Sequence, residues 1–254
     1  MTQFSTLKPF KLRFPNGATA EAIQVNYPAE VPDALSQIGL SNPQPTLVLV
    51  GGASGISEHS MQQLRALFVE TLVPLAENMG AFVIDGGTDA GIMQLIGQAR
   101  AEASATFPLV GVAAIGTVIL PNLGRSSPSS DAAPLETNHS HFVLVPGRQW
   151  GDESPWIARV ADALSQKATS VTLLINGGKI AWIDVTNSVR SHRPVVVMAG
   201  SGRTADTLAA MVRGNKPSDE QASVLTRSGF LFISDLETGL NQVHDLIQSF
   251  LILP

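Results

Sequence analysis

The chain has 254 residues, 44% of them apolar and 15% charged, with a formal charge of −5; it can bury a large core and fits one sizeable α/β domain. The net negative charge argues against nucleic acid as a main partner, and the absence of cysteine excludes disulfides, thiol catalysis and thiolate metal sites. With no apolar stretch near the roughly 20 residues that span a bilayer and no secretory h-region at the start, the chain is expected in the cytosol, away from membranes.

In chain order, residues 9–26 alternate apolar and polar around Pro15-Asn16-Gly17, predicting a β-hairpin. A Pro-rich stretch ends near Pro45, so residues 1–45 read as a β-extension and linker, and 46–254 as the main domain. From there apolar runs and helical patterns alternate, the signature of a doubly wound, mainly parallel sheet. Four of the runs stop at glycine-rich turns: TLVLVGGASG (46–55), AFVIDGGTDAG (81–91), SVTLLINGG (170–178) and RPVVVMAGSGR (193–203). LVGVAAI (109–115) and HFVLVP (141–146) supply two further strands. Helices are predicted over 57–78, 90–104, 153–166, 179–190, 203–213 and 235–251, the last with Asp235 as N-cap. The Ser- and Pro-rich segment 122–138 reads as a mobile loop.

Strand ends that hand the chain to a helix through glycine present backbone N–H groups at the positive end of a helix dipole, where phosphates bind. Gly52 and Ala53 in the first turn, Gly86, Gly87, Thr88, Asp89 and Ala90 in the second, Gly177, Gly178 and Lys179 in the third, and Gly200, Ser201, Gly202 and Arg203 in the fourth are therefore the candidate binding residues. One glycine turn merely turns the chain, whereas four at one sheet edge form a composite anion-binding rim. Arg203 at a helix start opposes the dipole; it fits either an anion between the two or a surface pair with Asp206. In Asn138-His139-Ser140-His141-Phe142, two histidines on one strand face suit a hydrogen-bonding cluster for a ligand or loop better than a metal, since no third ligand is near. Ser54 is no nucleophile elbow, because Ile56 stands where glycine belongs. Trp182 follows the third turn and suits either base stacking or the core.

VGGASG, GAFVIDGGTDAGIMQLIGQA (80–99), GVAAIGTV (111–118), NHSHFVLV (138–145), INGG (175–178) and AGSGRTADTLA (199–209) resemble, in unbroken order over about residues 46–215, the N-terminal cytosolic domain of melastatin-type transient receptor potential channels. That is an LSDAT-type domain of the SLOG superfamily, which also holds the Lonely Guy phosphoribohydrolases and the DNA-processing Smf/DprA proteins. The resemblance implies a Rossmann-like sheet whose strand ends bind a nucleotide or nucleotide-derived messenger, ADP-ribose in some channel members, with no further cofactor. It adds Asn138 to the binding residues and favours the anion reading of Arg203.

Lonely Guy enzymes carry Gly-Gly-x-Gly-Thr-x-Glu-Glu; here the stretch reads Gly177-Gly178-Lys179-Ile180-Ala181-Trp182-Ile183-Asp184. The Gly-Thr turn is lost and Ile183 replaces the first acid, so a binding or sensor domain is the leading expectation. The alternative is a nucleotide-processing hydrolase working through Asp184, Asp89 or His139. A degenerate interaction domain is the third reading. Leu236, Leu240, Val243, Ile247 and Leu251 suit either the core or a homo-oligomer contact.

Overall fold

The computed structural model describes residues 7–52, 55–121, 129–166, 169–217, 219–237 and 240–252. Ala53 and residues 122–128 of the loop lie outside them. The chain opens with the expected hairpin: β1 (Phe10–Arg13) runs antiparallel to β2 (Thr19–Gln24). Asn16 Oδ1 accepts from the Ala18 amide at 3.0 Å and closes the turn. Next come α1 (Val31–Gln37), β3 (Thr46–Gly51), α2 (Glu58–Ala66), a π-helical turn over Leu67–Leu72, α3 (Val73–Met79) and β4 (Phe82–Asp85). α4 (Gly91–Glu102), β5 (Leu109–Ala114), the short β6 (Val118–Ile119) and β7 (Ala133–Pro134), β8 (His141–Val145) and α5 (Ser154–Ser165) follow. The chain ends with β9 (Ser170–Ile175), α6 (Lys179–Arg190), β10 (Val195–Ala199), α7 (Arg203–Val212), α8 (Glu220–Arg227), β11 (Leu231–Asp235) and α9 (Leu240–Leu251).

The main sheet has the order β1-β2-β8-β5-β4-β3-β9-β10-β11. Every pair except β1 with β2 is parallel. The hairpin is thus stitched into the sheet, with Glu21 to Gln24 aligned on His141 to Leu144. Helices cover both faces. Because successive side chains of a strand point to opposite sides, Val48 and Val50 of β3 join the layer of α1, α5, α6 and α7, while Leu47 and Leu49 join that of α2, α4 and α9. This double burial is why the strands read as continuous apolar runs, and the sheet is Rossmann-like.

Three local departures have physical causes. The predicted helix 57–78 starts where expected, with the Ser57 hydroxyl accepting from the Ser60 amide at 3.1 Å. It widens into the π turn just before Pro74, and the Val73 amide reaches back to the Phe68 carbonyl; a proline has no N–H and its ring crowds the carbonyl four residues earlier. Asp235 is not the N-cap of the last helix but the end of β11, where its carboxylate pairs with Arg213 at 2.6 Å. α1, inside the Pro-rich stretch, and α8, capped by Asp219 accepting from the Ala222 amide at 2.8 Å, escape the sequence reading because both are short.

The inward face of α9 is core: Val243, Ile247 and Leu251 are buried with Leu236 against the α2 layer. Ile247→Ala should therefore cost about 2–5 kcal/mol of unfolding free energy, and the unfolding midpoint should not depend on protein concentration. A concentration-dependent midpoint would make this face a subunit contact.

Candidate functional site

A pocket of about 360 Å³ opens at the C-terminal ends of β3, β4, β9 and β10. The four glycine turns contribute unequally to its wall. Gly52 comes from the first turn; Gly86, Thr88 and Ala90 from the second; Gly178 and Lys179 from the third; Arg203 from the fourth. The start of α6 offers anion-binding geometry, since the N–H groups of Gly178, Lys179 and Ile180 donate to no group among the described residues, which is also true of Gly91, Ile92 and Met93 at the start of α4. Arg203 lies across this helix end: a Cβ on Gly178 would fall 2.9 Å from its Nη2. That approach needs a glycine. Arg203 itself has φ 49°, a left-handed conformation uncommon for a side-chain-bearing residue and found where surrounding structure enforces it.

The surface-pair reading of Arg203 does not describe this arrangement. Asp206 Oδ1 accepts from the Gly200 amide at 2.7 Å, and Arg203 makes no ion pair among the described residues. Nor is the start of α7 a second anion cradle, because the Thr204 and Ala205 amides donate to the carbonyls of Gly177 and Asn176 at 3.3 and 3.0 Å. Asn176 knits the third and fourth turns together: its amide donates to Ser201 Oγ at 2.7 Å and its Nδ2 to the Ser201 carbonyl at 2.8 Å. Ser201 and Gly202 therefore pack behind the wall. Gly200 lines a separate hollow with Asp206 and Arg213, and Gly177 packs on Ala181.

Gly87, Asp89 and Asn138 also lie off the wall. Gly87 packs on Gly111 and the Phe142 ring, while Asp89 Oδ1 accepts from Gln94 Nε2 at 2.9 Å. Asn138 belongs to a buried electrostatic brace under the second turn. Its Nδ2 donates to Glu136 Oε1 at 2.7 Å, and its carbonyl accepts from Arg100 at 3.1 Å. His139, wholly buried, sits between Asp85 and Glu136, with Nε2 at 2.9 Å from Asp85 Oδ1 and Nδ1 at 2.8 Å from Glu136 Oε2. Burial opposes a charge on the ring, but the two carboxyls more than offset it and hold the pKa up to about 9. The ring is thus an imidazolium at neutral pH, both nitrogens donating, and has no lone pair for a metal. Glu136 reaches this position because helix α4 carries Gly97 beneath it, where a Cβ would fall 2.1 Å from Oε2.

The brace shapes the pocket at one remove. Asp85 Oδ1 also accepts from the Gly87 amide at 2.7 Å, and the Glu136 amide donates to the Gly87 carbonyl at 2.9 Å. The Asp89 amide donates to the Pro134 carbonyl at 2.9 Å, tying 133–136 along the second turn. The described part of the loop expected to be mobile is therefore strapped down, and it delivers Ala133 to the wall.

Trp150, Glu153 and Asp184 also line the pocket; of these Asp184 is the one named from the sequence, as a hydrolase carboxyl, and Trp150 donates from Nε1 to Asp131 Oδ2 at 3.0 Å. Trp182 packs instead against the core. Burial pushes Asp184 up to about 7, opposed by the Ser154 hydroxyl and reinforced by Glu153. Burial likewise raises Glu153, whose carboxylate accepts from the Gly151 amide at 3.0 Å. Ile183 is 44% exposed and lines a groove towards α8, so replacing an acid there removes nothing from the pocket. One residue on, the helix turns Asp184 inward.

The family model described as SLOG in TRPM, prokaryote, matches residues 44–244. The chain belongs to that family. Among curated proteins it is similar to transient receptor potential cation channel subfamily M member 2 of Mus musculus, 28% identical over 204 residues covering 67% of this chain and 13% of the channel. Subfamily M member-like 2 of Nematostella vectensis is 27% identical over 209 residues, covering 68% and 13%. Subfamily M member 7 of Homo sapiens is 24% identical over 246 residues, covering 82% and 13%. The chain thus spans about an eighth of these channels' length, and no helix among its described residues is long and apolar enough to cross a membrane.

His139 binds its proton more tightly folded than unfolded, so its contribution is complete below pH 6.5 and is lost as pH rises through about 9. Urea unfolding between pH 7.5 and 9.5 should show a loss of about 2 kcal/mol. His139→Gln should be less stable at pH 7.5 and flat across this window; a variant as steep as the wild type would remove the imidazolium from the brace.

Proposed function

We propose that the pocket binds a nucleotide-derived ligand through its diphosphate, an ADP-ribose-like molecule, and that the chain serves as a cytosolic sensor or binding domain. The observation that carries this reading is the start of α6, where three N–H groups without partners among the described residues meet Lys179 and the Arg203 guanidinium on one pocket wall. Dipole, amides and two cations then act on one anion. Trp150 offers an aromatic face at the pocket. Membership of the SLOG-in-TRPM family supports the same reading.

A second reading, hydrolysis of the ligand's N-glycosidic bond, is favoured by Asp184, a carboxyl on the wall with a pKa near 7 suited to a general acid. Asp89 and His139 are off the wall and cannot take that part from where they stand. Chromatography of ADP-ribose and AMP incubated with the protein separates the readings: intact ligand supports binding alone. Released base or ribose phosphate at about 1–10³ per second, abolished in Asp184→Asn, supports the enzyme.

A charge-assisted hydrogen bond from Arg203 to a phosphate contributes about 1.5–3 kcal/mol. Calorimetric titration with ADP-ribose should therefore show Arg203→Ala weakened by roughly ten- to a hundredfold, with the ligand-free melting temperature nearly unchanged. Arg203→Lys should restore part of the loss. Equal affinities in all three proteins would take Arg203 out of the site.

A further inference from the structure

Among the described residues, four charged side chains of two signs line the pocket. Lys179 begins α6 and Arg203 lies across that helix end, while Asp184 lies farther along α6 and Glu153 directly precedes α5. Asp184 is 8% exposed, and its Oδ1 is buried with no hydrogen-bond partner among the described residues. A carboxyl oxygen left without a donor in that position costs free energy unless it is protonated or a ligand reaches it. The groups around it are few. Glu153 and Ser154 come from α5, Lys179 from its own helix and Arg203 from α7, while Asp152 acts on Glu153 from the preceding turn. The turns after β3 and β4 bring only uncharged groups, Gly52, Gly86 and Thr88.

We propose that Asp184 and Glu153 form a proton-binding subsite that takes up a proton from solvent when an anionic ligand enters the pocket. This rests on the anion-binding reading above. An anion held at the start of α6 by Lys179 and Arg203 brings negative charge into the pocket that the two carboxyls line. Two buried carboxyls facing that charge cannot both stay ionised. The proton that one of them takes up turns it from an acceptor into an O–H donor aimed at a ligand oxygen. The subsite therefore selects ligands that carry an anionic group at one end and a hydroxyl or carbonyl acceptor at the other. By linkage, affinity is level at acid pH and falls by up to about tenfold per pH unit once the free site has lost its proton.

The test has one arm without ligand and two with it. Carboxyl-carbon NMR of the full chain should show one group titrating near neutral pH, its signal absent in Asp184→Asn. Both carboxyls titrating near the ordinary value of about 4 would overturn the proposal. Calorimetry with ADP-ribose, whose diphosphate does not titrate between pH 6 and 8.5, is run in buffers of unlike ionisation enthalpy. It should show uptake approaching about one proton per site at pH 8, reduced in both Asp184→Asn and Glu153→Gln. Binding without uptake overturns the proton subsite and leaves the nucleotide reading standing. Sodium sulfate, also without a titrating proton in this range, is the third arm. If sulfate binds with proton uptake and ADP-ribose does not bind, the subsite stands and the nucleotide reading fails. If neither binds, both fail.

Discussion

The Asp85–His139–Glu136 brace is the interaction on which the site depends. An imidazolium sealed from water is expensive, and here both ring N–H groups meet carboxyls within 3 Å. The second turn is held from below by Asp85, and the strap 133–136 is held from the side by Glu136. Removing one partner of such a buried set leaves an uncompensated charge, which is why it acts as a unit. Phe142 stacks on the ring at 5.4 Å and packs against Gly87 and Gly111, so the same aromatic joins brace, turn and sheet.

From that constraint the division of labour among the turns follows. The second turn is rigid, held by hydrogen bonds and packing. The fourth is consumed in holding the third through Asn176 and Ser201. The start of α6 keeps open donors, which the fourth turn joins by sending Arg203 to them, and the first N–H groups of α4, at Gly91, Ile92 and Met93, likewise donate to no group among the described residues. Similar sequences thus do different work, the fourth turn chiefly as a support for the third.

The fold was legible because its central strands are buried on both faces and four of them end at glycine-rich turns; both are properties of neighbouring residues. Gly178, Lys179 and Arg203 were legible for the same reason. Of the two pocket carboxyls Asp184 was legible only as the acid left in the hydrolase stretch and Glu153 was not legible, because they come from separate helices and nothing in either segment points at the other. A signal did exist in Glu153, an acid directly before Ser154-Pro155 at a helix start. The NHSHF motif stood out, yet its partners Asp85 and Glu136 are fixed by tertiary structure; of the two roles left open for its histidines, a ligand or a loop, His139 takes the loop. Ile183 misled in the opposite direction: reading a lost acid by position takes no account of which way the helix faces it.

The most direct measurement is a crystal structure of the full chain grown with saturating ADP-ribose. The account predicts diphosphate density at the start of α6, with oxygens within hydrogen-bonding distance of the Gly178 and Lys179 amides and of the Arg203 guanidinium. Density for the ligand elsewhere on the molecule, with this pocket holding none, would contradict it.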